Sequence, residues 1–161
     1  MKRLLALCLM LLVLAPAWAA DTMSGIVFVV IDGDTVLFKP NSYGAASRAF
    51  LKLRLANIDA PEKDQPYGEA ATRALSALVL NQRVDVTTVA TDFYGRTIAQ
   101  LQAGDVQVNT ELVRRGLAWA SRKAAMKKIQ RDAQQAARGL WREVAPMPPW
   151  VWRREHSAAM H

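Results

Sequence analysis

The chain has 161 residues, 21 lysines and arginines against 14 aspartates and glutamates, and a formal charge of +7. Its one cysteine, Cys8, sits in the leading apolar run, so the rest of the chain can build neither a disulfide framework nor a cysteine-ligated zinc site. The basic balance admits polyanions as partners, but many exported proteins are basic and only a specific site can say more.

In chain order, Lys2 and Arg3 precede an uncharged apolar stretch from Leu4 to Leu14, followed by the small-residue sequence Ala17-Trp18-Ala19. This pattern predicts a secretory signal peptide over residues 1–19, with the mature chain starting near Ala20. The stretch is short for a hydrocarbon core of about 30 Å, although an uncleaved signal anchor has the same composition. Export is expected, to the periplasm or the medium. Without Lys2 and Arg3 the mature chain keeps 19 basic and 14 acidic residues, a charge of +5. Roughly 140 residues suit one domain. That domain is expected over residues 20–145, with a tail over 146–161 rich in Pro, Trp and Arg.

Residues 25–31 and 35–38 are apolar and β-branched around Asp32-Gly33, which predicts a hairpin with a type I′ turn. After a polar loop, residues 50–58 alternate as a third strand. Pro61 and Pro66 break the chain before an amphipathic helix over 69–80, with Ala71, Ala74, Leu75 and Leu78 on one face. Strands are expected at 83–89 and 96–101. A second helix would have Asn109 as N-cap and Gly116 as stop, and a third, over about 122–138, would put Met126, Ile129, Ala133 and Ala137 on one stripe. Five short strands with one inserted helix and two following helices predict an α+β fold, a small closed barrel of the OB type.

Candidate chemistry gathers at strand ends. Asp32 and Asp34 flank Gly33, and Asp59 and Glu62 bracket the turn containing Pro61. Metal-assisted phosphodiester cleavage uses hard oxygen ligands of this kind, yet Asp is also an ordinary turn residue. Arg54 and Arg96 supply planar forks suited to phosphate oxygens, and either could equally be a solvated surface residue. Arg54 and Asp59 are an odd number of residues apart, so they share a site only if the strand bends or ends between them.

Three segments in order, Val30-Ile31-Asp32-Gly33-Asp34-Thr35-Val36, Arg54-Leu55-Ala56-Asn57-Ile58-Asp59-Ala60-Pro61-Glu62 and Asp92-Phe93-Tyr94-Gly95-Arg96, resemble the staphylococcal nuclease (thermonuclease) family. The likeness extends from about residue 25 to 141 and includes the helix around 108–118. It implies an OB-fold barrel with three helices and one calcium ion held by Asp34, Asp59 and the carbonyl of Ala60. It further implies a catalytic trio of Arg54, Glu62 and Arg96 in an endonuclease that acts on DNA or RNA, cleaves the 5′ P–O bond and leaves 3′ phosphates. Glu62 would serve as general base or orient the water. Residue types alone leave magnesium as open as calcium.

The chain departs from the family in two places. Phe93 stands where the family commonly has lysine, and Trp119-Ala120-Ser121-Arg122 replaces tyrosines that pack against a base. Tyr94 is kept, as a substrate contact or a structural residue. Trp150 and Trp152 of the tail read as plugs for an apolar groove or as stacking surfaces beside arginines. His156 and His161 lie near the chain end, which argues against a histidine base. A monomer with a nucleic acid substrate is the expected working form. The alternative is a silent OB-fold module that binds nucleic acid without cutting it.

Overall fold

The structure, a computed structural model, describes residues 22–121 and 123–157. The signal-peptide reading, Arg122 and His161 fall outside the described residues. The elements run β1 (Thr22–Val30), β2 (Thr35–Pro40), β3 (Leu51–Leu55), β4 (Ile58–Asp59), α1 (Gly68–Val79), β5 (Arg83–Thr91), β6 (Thr97–Ala103), β7 (Val106–Gln107), α2 (Val108–Arg114), β8 (Trp119–Ala120), α3 (Ala124–Gln135) and α4 (Pro149–Ser157).

Five strands form the barrel. Antiparallel pairs join β3 to β2, β2 to β1, β1 to β5 and β5 to β6, and the parallel pairing of β3 with β6 closes the ring. Inward-facing Val27, Val36, Phe38, Leu53, Leu55, Val84, Val86, Ala99 and Leu101 are fully or almost fully buried. One end is covered by Ala71, Leu75 and Val79 of α1, spaced four apart on one face, and by Val108, Leu112 and Val113 of α2. Each of the larger side chains contributes roughly 1.5–3 kcal/mol through burial. The α+β barrel of OB type is therefore as the sequence predicts, with four α-helices among the described residues instead of three.

Several local expectations change. The connection from β1 to β2 is not a type I′ turn, because neither Asp32 nor Gly33 has positive φ. It is held instead by the Asp34 N–H donating to Asp32 Oδ1 at 3.0 Å and the Ile31 N–H donating to the Thr35 carbonyl at 2.9 Å. Gly33 is required by space: a Cβ there would lie 2.6 Å from the Ala60 Cβ and 2.7 Å from the Ala71 Cβ. The third strand ends early, at Leu55, and Asn57 in the left-handed region (φ 63°) turns the chain into β4.

Asn109 is not a helix cap. Gln107 caps α2, its side chain accepting from the Thr110 N–H, while Asn109 is 2% exposed and cross-links the barrel seam. Its Nδ2 donates to the Ala56 and Ala99 carbonyls at 2.9 and 3.1 Å, and its Oδ1 accepts from the Leu101 N–H at 3.0 Å. Gly116 stops α2 as expected, with φ 68°. In α3, Met126 and Ala133 are buried and Ile129 packs against the core, but Ala137 lies beyond the helix and is exposed. The tail contains α4, in which Trp150 packs edge-on against Trp119, their centroids 5.6 Å apart.

Candidate active site

The sites predicted from sequence converge. Asp32, Asp34, Arg54, Ala60, Glu62, Tyr94 and Arg96 line one cleft of about 380 Å³, together with Thr35, Pro61 and Arg153, and Asp59 borders it through its ion pairs. The break in strand order explains the convergence. With Asn57 left-handed, Asp59 turns back so that its Oδ1 accepts from Arg54 Nη2 at 2.8 Å, while Arg54 Nη1 pairs with Asp34 Oδ2. Arg54 therefore bridges carboxylates from two separate strand ends.

Asp34 is the most constrained of these groups. Its Oδ2 accepts from the Ala60 N–H at 2.7 Å and its Oδ1 from the Thr35 hydroxyl at 3.2 Å. Burial pushes its carboxyl up to about 7, against the opposing Arg54 charge and with added repulsion from Asp32. Such a carboxylate is incompletely compensated. Asp34 and Asp59 are both hard oxygen donors, which suit a hard divalent cation. Among the described residues no group of three or more His, Cys, Asp or Glu side chains is gathered around one metal position. A cation here would accordingly complete its shell with carbonyl and water oxygens, a coordination calcium tolerates. The donor set thus fits the ion implied by the resemblance. Ala60 meets Asp34 through its N–H.

Arg96 is held from its own loop. Asp92 accepts from the N–H groups of Tyr94 and Arg96 at 3.0 and 2.9 Å and from Arg96 Nε at 2.7 Å, and Gly95 makes the turn at φ 73°. The slight burial of Asp92 raises its carboxyl, but the Arg96 and Tyr94 donors outweigh it and hold the group below its ordinary value. The Arg96 guanidinium also lies 5.6 Å from the Tyr94 ring centre. Tyr94 and Phe93 are otherwise exposed at the loop tip.

Glu62 is fixed through its backbone. Its N–H donates to Gln65 Oε1 at 3.0 Å, its carbonyl accepts from the Gln65 N–H at 2.9 Å, and Gly68 leaves it room, since a Cβ there would fall 1.8 Å from that carbonyl. Gln65 Nε2 in turn donates to the Met147 carbonyl at 2.6 Å, tying the turn to the tail.

Two contributors are missing from the sequence reading. Buried Gln65 is one, and Arg153 of α4 is the other. Arg153 Nη2 lies 2.8 Å from Asp59 Oδ2, and its Nη1 lies 3.2 Å from Asp59 Oδ1 and 2.5 Å from Glu62 Oε1. The Asp59 hydrogen bond, against burial and with help from Glu62, raises the Arg153 pKa above its already high value. Pro149 at the first helical position is the available signal for α4, masked by the run Pro146-Met147-Pro148 before it.

The family model described as "Staphylococcal nuclease homologue" matches residues 52–143. The chain is 40% identical over 143 residues to an uncharacterized endonuclease of Escherichia coli O157:H7, covering 86% of this chain and 89% of that protein. It is 35% identical over 167 residues to the micrococcal nuclease of Shigella flexneri, covering 94% and 91%. Protein ParB of Escherichia coli is 36% identical over 170 residues, covering 96% and 92%.

Proposed function

The chain belongs to the staphylococcal nuclease family, and on that premise we propose that it is an exported, calcium-dependent endonuclease that hydrolyses DNA or RNA and leaves 3′-phosphate ends. The nuclease names of its relatives support the hydrolytic activity. The observation that carries the proposal is the convergence of Arg54, Glu62 and Arg96 with Asp34 and Asp59 on one cleft.

Asp34, Asp59 and the Ala60 carbonyl would hold the cation. When bound, it supplies positive charge against the phosphate oxygens. Arg54 and Arg96 donate to the phosphoryl oxygens as charge builds on them, with their forks already fixed by Asp34, Asp59 and Asp92. Glu62 accepts the proton of the attacking water as its oxygen bonds to phosphorus, the P–O5′ bond breaks, and the 5′ oxygen takes a proton from solvent. Tyr94 borders the cleft as a surface for a base or a phosphate. Residues 1–19 direct export, the mature protein works as a monomer, and the described part of the tail, residues 146–157, packs back onto the domain.

A silent nucleic-acid-binding barrel would have no use for two guanidiniums and three carboxylates gathered at one cleft. Glu62→Gln tests the assignment: turnover should fall at least about a hundredfold with the melting temperature held, and products of the wild type should end in 3′ phosphates. An unchanged turnover number removes Glu62 from the mechanism.

A further inference from the structure

The charge balance of the cleft leaves one guanidinium that the reaction above does not use. Five carboxylates, Asp32, Asp34, Asp59, Glu62 and the Asp92 paired with Arg96, stand against three guanidiniums, Arg54, Arg96 and Arg153, two formal negative charges in all. A divalent cation brings this to zero, and a phosphodiester anion leaves one negative charge. Without Arg153 the same complex would carry two.

Arg153 is also the most exposed of the three. Its side chain is 45% exposed, against 16% for Arg54 and 32% for Arg96. It reaches the cleft from a helix held at its base by Gln65 on the Met147 carbonyl and by Trp150 on Trp119. Its fork bonds Asp59 and Glu62, one a ligand and the other the base in the proposed reaction. A cation held on Asp59 would repel the guanidinium and take its partner, leaving the same fork free to turn to an incoming phosphate by a change of rotamer.

We propose that Arg153 is a third phosphate-binding arginine, supplied by the C-terminal helix, which neutralises Asp59 and Glu62 until a divalent cation and a nucleic acid phosphate take over its partners. The proposal rests on the nuclease reading of this cleft. It predicts effects of opposite sign on two ligands. Removing the guanidinium frees the carboxylates for metal and takes a donor away from the substrate.

The test is Arg153→Gln, with Arg153→Lys and the neighbouring Arg154→Gln in parallel, in the full mature chain. Calcium affinity without nucleic acid is read by calorimetry, and KM for a short single-stranded oligonucleotide is read at saturating calcium over a series of salt concentrations. Arg153→Gln should tighten calcium binding several-fold, raise KM about tenfold, and make the dependence of log(1/KM) on log salt shallower by about 0.7. Arg153→Lys, which keeps the charge without the fork, should fall between, and Arg154→Gln should leave both readouts at wild-type values.

Tighter calcium with a lower KM would make Arg153 only a plug and overturn the proposal. Weaker binding of both ligands would make its role structural, and equal effects from Arg154→Gln would make it one of many surface charges. The calorimetric arm does not depend on turnover. Failure of the wild type to cleave would defeat the nuclease reading, whereas the signs of the Arg153 effects decide this proposal.

Discussion

At the scale of single residues, the side chains with most influence are those that satisfy several backbone groups at once. Asn109 holds three main-chain groups at the seam where β3 meets β6, and nothing apolar can replace it. Asn109→Ala orphans the buried Leu101 N–H and the Ala56 carbonyl, so it should cost about 2–4 kcal/mol in urea unfolding without a change in slope. A loss below about 0.5 kcal/mol would show that the seam does not depend on it. From sequence this asparagine looked like a cap, since Asn before a helical stripe is ordinary capping chemistry. Gly33 was misread in the same manner: Asp-Gly suggests positive φ, but the requirement is close approach to Ala60 and Ala71, partners 27 and 38 positions away that no local pattern contains.

Among the elements, the strands and their order were legible because alternation and turn residues are local signals. The third-strand motif carried Arg54, Asp59 and Glu62 together. What stayed hidden was the tail, where prolines obscure α4 and an arginine among many gives no sign that it returns to Asp59. Within α2, Glu111 pairs with Arg115 at 2.7 Å and with Arg114. Partial burial raises the Glu111 carboxyl, but these arginines outweigh it and hold the group below 4.5. A depressed carboxylate stabilises the fold above its unfolded value and loses that contribution as pH falls through its folded value. Glu111→Gln should therefore cost about 0.5–1 kcal/mol at pH 7, discounted for two half-exposed arginines, and the difference should vanish at the acid end. A difference that holds constant from pH 7 down to pH 3 would assign the loss to something other than ionisation.

For the molecule as a whole, the barrel acts as a frame that brings three loops and one terminal helix to a single cleft. The turn after β1 and the end of β4 supply acidic groups, the loop between β5 and β6 supplies Arg96, and α4 supplies Arg153. Closure between β3 and β6 fixes the distance between Arg54 and Arg96, because Arg54 pairs in register with Ile98. The electrostatic arrangement, acidic at the centre with arginines around it, suits a cation together with a phosphate better than either alone. The most direct measurement is cleavage of plasmid and single-stranded nucleic acid by the purified mature protein in calcium and then in excess chelator. Cleavage should occur with calcium, stop on chelation and return when calcium is restored, whereas binding without cleavage, or cleavage indifferent to chelator, would contradict the account.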